Sequence, residues 1–149
     1  MMNFSDKGSG DVIVLIHGYM ETAEVWENFA DKLSQHFRTV SVDLPGHGLS
    51  ALSDEINTMD SMAEAVIATL DSLEISKALF VGHSMGGYVA LAALKLFPER
   101  VSGITLFNSH PFADSGIPGK QREGVVEKIF PAIRIFFKIF PSEFMYGNT

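Results

Sequence analysis

Gly82-His83-Ser84-Met85-Gly86 constrains what this chain can fold into more than any other stretch. It lies between an apolar, β-prone run, Ala78-Leu79-Phe80-Val81, and a second run, Gly87-Tyr88-Val89-Ala90-Leu91-Ala92-Ala93-Leu94, that reads as a buried helix. A serine flanked by glycines at a strand-to-helix join predicts a turn so tight that only small residues fit around it. Such a turn lifts the Ser84 hydroxyl above the carboxyl edge of a sheet, at the amino end of a helix. The first N–H groups of that helix, and its dipole, then face any negative charge that develops there. The pattern points to Ser84 as a nucleophile.

Around this join, strand and helix signals alternate. Val12–Ile16 is a continuous apolar run ending at His17-Gly18, a pattern that suits a strand covered on both faces. Residues 24–35 read as a helix with Val25, Trp26, Phe29, Ala30 and Leu33 on one side, which makes Trp26 a core residue. A short strand over 39–42 is closed by the Asp43-Leu44-Pro45-Gly46-His47-Gly48 turn cluster. Residues 59–73 carry Met62, Ala65, Val66, Leu70 and Leu73 at helical spacing, and Ser61 with Glu64 has capping-box spacing. Val101–Phe107 reads as another strand, followed by a loop from Asn108-Ser109-His110-Pro111, and Asn3-Phe4-Ser5 as an abbreviated first strand. Alternation at this spacing predicts βαβ units, hence an α/β fold: a three-layer α/β/α sandwich with a mostly parallel sheet. The composition changes near Ser115, so 1–114 is expected to form the core. Residues 115–149 are expected to start a cap or lid, or to be a non-native tail. Within them, 129–141 is aromatic-rich and interrupted by Pro131, Arg134 and Lys138.

A formal charge of −7 argues against nucleic acid or an anionic membrane as a partner, since both need basic patches. The absence of cysteine removes disulfides and thiol catalysis and fits a reducing cytosol. No basic start with an apolar run marks a signal peptide, and no stretch reaches the ~20 apolar residues of a membrane span. The chain is expected to be a cytoplasmic protein with a small-molecule substrate.

Three motifs in order, His17-Gly18-Tyr19-Met20, Asp43-Leu44-Pro45-Gly46-His47-Gly48 and Gly82-His83-Ser84-Met85-Gly86-Gly87, together resemble the α/β-hydrolase family. The resemblance covers about residues 12–108. It implies a serine hydrolase acting on carboxylic esters or related acyl substrates, with Ser84 as nucleophile and no metal or organic cofactor. The oxyanion hole would be the backbone N–H groups of Tyr19 and Met85. By the same resemblance His17 ties down its loop, Asp43 and His47 brace theirs, and His83 packs beside the elbow. His17, His83 and His110 are candidates for the pocket, and Met85 and Tyr88 could line it. Gly86, Gly87 and Ala90 are small where helix approaches sheet. Serine at the elbow argues against haloalkane dehalogenase and epoxide hydrolase relatives, which use aspartate there. Carbon–carbon bond hydrolases, haloperoxidase-like esterases and the menaquinone-pathway lyase share the serine motif and stay open.

The resemblance stops short of a triad. In this family the chain order is Ser, then Asp or Glu, then His, whereas the only histidine after Ser84 is His110. Of the later acids Glu99, Asp114, Glu123, Glu127 and Glu143, Asp114 is best placed. His110 as base would require its loop to fold back over Ser84, in the order Ser, His, Asp. The two further strands that usually carry acid and base are not visible. The expectation is therefore an incomplete α/β-hydrolase fold lacking its C-terminal strands: truncated, out of frame near Ser115, or completed by another chain. An open sheet edge and the Phe-rich tail would then favour a homo-oligomer. The rival reading is a non-catalytic remnant or binding domain that keeps the pocket without the triad acid and base. A weaker third, a membrane-surface protein anchored through 129–140, is opposed by the negative charge.

Overall fold

The computed structural model describes residues 2–52 and 57–109. His110, Asp114, the boundary near Ser115 and the Phe-rich tail lie outside the described residues. The elements run β1 (Phe4–Lys7), β2 (Val12–Ile16), a 3-10 turn (Ala23–Trp26), α1 (Glu27–Leu33), β3 (Arg38–Val42) and α2 (Met59–Ser72). They continue with β4 (Ala78–His83), α3 (Met85–Leu96), a 3-10 turn (Pro98–Arg100) and β5 (Val101–Phe107).

The five strands form one sheet in the order β1-β3-β2-β4-β5. β1 runs antiparallel to β3, and the other neighbours are parallel. Alternation along β2 and β4 explains the layers, because successive side chains of a strand point to opposite faces. Ile13, Leu15, Leu79 and Val81 pack with Trp26, Ala30 and Leu33 of the first helical segment. Val14, Ile16 and Phe80 pack on the other face with Met62, Val66 and Leu70 of α2 and Val89, Ala90 and Ala93 of α3. The sheet is thus sandwiched between α1 and the α2–α3 pair, the three layers that the continuous apolar runs predict.

Three local readings are corrected. The helix expected over 24–35 divides into a 3-10 turn and the short α1. Its start is held from outside: Thr22 Oγ1 accepts from Glu24 N, Val25 N donates to Thr22 O, and Ala23 N donates to Asp43 Oδ1 at 2.7 Å. Its end is fixed where the N–H groups of His36 and Phe37 both turn back to Leu33 O. The capping box of α2 is Thr58 with Ser61, not Ser61 with Glu64. Thr58 Oγ1 accepts from Ser61 N at 3.0 Å while Thr58 N donates to Ser61 Oγ at 2.9 Å. The serine hydroxyl does the work that a glutamate does in the usual box. The first strand begins one residue later than expected and reaches Lys7, and Asn3 instead donates its side-chain amide to Asp43.

The order of the strands places the site. From β2 the chain steps through α1 to β3 on one side, then returns through α2 to β4 on the other. The direction of winding therefore reverses between β2 and β4, which pair in register from Ile13↔Leu79 to Ile16↔Gly82. At such a switch point the loops leaving the carboxyl ends of the two strands part to opposite faces and open a crevice. Those loops begin at His17 and at Ser84.

Candidate active site

Ser84 sits between the last residue of β4 and the first of α3 with φ 49 and ψ −114, a backbone conformation that non-glycine residues rarely adopt. Ser84 N donates to Phe107 O at 2.9 Å and Gly87 N donates to Ser84 O at 3.0 Å, so strand β5 and the first turn of α3 fix the strained residue from both sides. A Cβ at Gly82 would land on the Gly86 carbonyl, and one at Gly86 would press on the carbonyls of Ile16 and His17. The glycines thus let α3 begin directly against the end of β2. Ser84 is the N-cap residue of α3, yet its side chain makes no capping bond, which leaves the hydroxyl uncommitted to the helix. Among the described residues, the N–H groups of Met85 and Tyr19 also donate to no protein acceptor.

His17 is fully buried beneath the loop that carries Tyr19. Its Nδ1 donates to Gly18 O at 2.7 Å and its Nε2 accepts from Leu44 N at 2.9 Å. Burial, chiefly, lowers its pKa, against the hydrogen bond to Gly18. Both nitrogens are engaged, so His17 joins the Gly18 and Leu44 loops from within the core. Asp43 braces from the other side: its carboxylate accepts from Ala23 N, Leu49 N at 3.0 Å and Asn3 Nδ2 at 2.9 Å. Burial works against its ionisation, and those donors outweigh burial to hold its pKa below the ordinary value. His47 Nδ1 lies 3.1 Å from Pro45 O, with its ring 5.1 Å from that of His17 and 6.2 Å from that of Tyr19.

His83 stands beside the elbow, with its Nδ1 2.8 Å from Glu21 Oε2. The same carboxylate oxygen accepts from Gly18 N at 2.6 Å. Burial raises the Glu21 pKa, and the bonds from His83 and Gly18 overcome it and leave the group more acidic than usual. Glu21 is not among the residues that the sequence motifs single out. The available signal was its position three residues after a turn-forming glycine, where a carboxylate can reach back to a backbone N–H as it does in a capping box. On the α1 side, Trp26, Phe29 and Phe107 form a ring cluster with centroids 5.8, 5.9 and 6.2 Å apart. Trp26 is buried there, as its helical face predicts, with no partner for its indole N–H among the described residues. His110 lies outside the described residues.

A groove of about 410 Å³ lies between the Pro45 to Leu52 segment and α2, and one of about 580 Å³ beside β1; neither is lined by Ser84, Tyr19 or Met85. Among the described residues no three His, Asp or Glu side chains group to hold a metal ion, and no helix is long and apolar enough to cross a membrane.

A family model described as alpha/beta hydrolase fold matches residues 11–139. The dihydrolipoyllysine-residue acetyltransferase component of the acetoin cleaving system of Pseudomonas putida is 38% identical over 117 residues, which cover 78% of this chain and 31% of that protein. A pimeloyl-acyl-carrier-protein methyl ester esterase of Aliivibrio fischeri is 39% identical over 105 residues, covering 70% of this chain and 39% of the esterase. Among solved structures, a thermophilic esterase from Thermogutta terrifontis superposes with a TM-score of 0.74 at 28% identity, over 98% of this chain and 57% of that one. An enol-lactonase and an epoxide hydrolase match as well. The chain spans less than two-fifths of the length of the first two relatives.

Proposed function

The chain belongs to the alpha/beta hydrolase fold family, and from that premise we propose that it is a serine hydrolase of carboxylic esters or related acyl substrates, with Ser84 as nucleophile. The observation that carries this reading is Ser84 itself, held at φ 49 on the switch-point turn with its hydroxyl unspent on the helix it caps. Strain of this kind, on the order of 1–3 kcal/mol, persists where the surroundings over-determine it, and it clusters at functional sites. The esterases among the similar proteins support the substrate class.

In the proposed reaction Ser84 Oγ bonds to the ester carbonyl carbon as a base takes the hydroxyl proton. The carbonyl electron pair moves onto oxygen, where the N–H groups of Tyr19 and Met85 receive it. Collapse of that intermediate expels the alcohol, which takes the proton from the base. Water then repeats the sequence on the acyl-serine and releases the acid. A single oxyanion-hole donor typically contributes about 10²–10³ in rate. With both nitrogens engaged, His17 is not the base. No metal or organic cofactor takes part.

The test is steady-state hydrolysis of a nitrophenyl short-chain ester by the purified chain beside Ser84→Ala. The reading expects turnover that Ser84→Ala abolishes. Turnover equal in both proteins would overturn it, and inertness in both would favour a binding domain that keeps the pocket alone.

A further inference from the structure

The loop that carries the Tyr19 amide has little apolar burial to hold it. Tyr19 and Met20 are 70% and 83% exposed, with the Tyr19 ring meeting only the edge of His47, and Met20 adopts φ 60, so the turn has little side-chain anchorage and its backbone is strained. Ladder pairing between β2 and β4 ends at Ile16↔Gly82, before the loop begins. Polar tethers remain. His17 fastens the root of the loop to Leu44, and the Glu21 N–H closes the turn on Gly18 O at a long 3.3 Å.

The remaining tether is the Glu21 carboxylate. One oxygen, Oε2, takes both the Gly18 N–H and His83 Nδ1. A Cβ built on Gly18 would meet Glu21 Oε2 at 2.8 Å, His83 Nδ1 at 3.1 Å and Ser84 Cβ at 3.2 Å, so carboxylate, imidazole and serine converge on one point. Beyond His83, Asn108 at the end of β5 brings its side-chain amide to 3.5 Å from Nε2. A polar line therefore crosses the carboxyl ends of β2, β4 and β5, the three strands that meet at the site. The other titratable groups facing it are His17 and, behind His17, Asp43 and His47.

We propose that Glu21 is the positioning residue of this site, its carboxylate strapping the Gly18–Glu21 turn to His83 and so setting the Tyr19 amide against Ser84. This rests on the reading of Tyr19 as an oxyanion donor. The strap orders a turn whose side chains are in solvent, and it does so from the strand that delivers Ser84. Loop and serine therefore move together.

The test compares the full 149-residue chain with Glu21→Ala and Glu21→Gln by backbone ¹⁵N relaxation and ester kinetics. In the parent chain Tyr19 and Met20 should be as ordered as the sheet, with order parameters of about 0.85. In Glu21→Ala they should fall below about 0.6, a flexible backbone, while Val14 and Phe80 stay unchanged. kcat should fall about tenfold or more with KM within about twofold, because a misplaced oxyanion donor weakens the transition state more than the bound substrate. Glu21→Gln keeps an acceptor and should restore part of both effects. Unchanged order at Tyr19 and Met20 in Glu21→Ala would overturn the strap, as would a loosened turn with kcat unaltered. Loss of order in Glu21→Ala with no turnover in any of the proteins would uphold the strap and count against the hydrolytic reading, so the two claims fail separately.

Discussion

His17 shows how one buried side chain can make a loop depend on pH. Its imidazole gives its one N–H to Gly18 O and its bare nitrogen to Leu44 N–H, an arrangement that only the neutral ring can make. Burial lowers its pKa, whereas an unfolded histidine titrates near 6.5. Below that pH the unfolded chain binds a proton that the folded chain refuses, so stability is complete above about 6.5 and declines as pH falls toward the lowered folded value. Urea midpoints measured from pH 8 to 5 should fall with acid in the parent chain. In His17→Gln, which can still accept from Leu44, the curve should start lower and run flatter; equal slopes would assign the acid sensitivity elsewhere. The family resemblance, not the local pattern, marks His17 as a loop residue; its bonds to Gly18 and Leu44 come from the structure. Glu21 was legible only in part: its spacing from Gly18 allows the carboxylate to fold back onto that N–H, but nothing local reports its reach to a strand 62 residues away.

Elements with dense apolar patterns were the most readable. β2, β4 and β5 lie where their hydrophobic runs lie, since a strand covered on both faces leaves little room for polar residues. α2 also occupies the stretch its spacing predicts, but its cap lies one turn earlier than the Ser61–Glu64 spacing suggests, because Ser61 is the partner of Thr58 and not the cap itself. Removing the Thr58 side chain should therefore cost about 1 kcal/mol, within the usual 0.5–2 kcal/mol for a lost N-cap. The reciprocal bonds make Thr58→Ala and Ser61→Ala interdependent, so the double variant should lose less than the sum of the singles in chemical denaturation. Strict additivity would mean that the two hydroxyls act alone. The first helical segment and β1 were harder to read, for the same reason. Both are short, and their limits are set by distant partners: Asp43 holds Ala23, and β3 pairs with Phe4–Lys7.

Across the whole molecule, the feature no local pattern encodes is the order of the strands. Alternating strands and helices announce a parallel sheet with two covers, but only the observed order β1-β3-β2-β4-β5 puts the reversal of winding between β2 and β4. That reversal brings His17-Gly18 and Ser84, far apart in the chain, to one crevice. It also lets Gly86 sit against the β2 carbonyls and Ser84 rest on Phe107 O of β5. The sheet thus does more than carry the serine: it assembles, from three strand ends, the strained turn that exposes it. The most direct test of this account is to treat the purified chain with a fluorophosphonate, which exchanges its fluoride for an activated serine oxygen, and to map the adduct by peptide mass. One adduct is expected, on Ser84, that disappears in Ser84→Ala; an unmodified Ser84, or an adduct on another hydroxyl in its place, would mean that this turn presents no nucleophile.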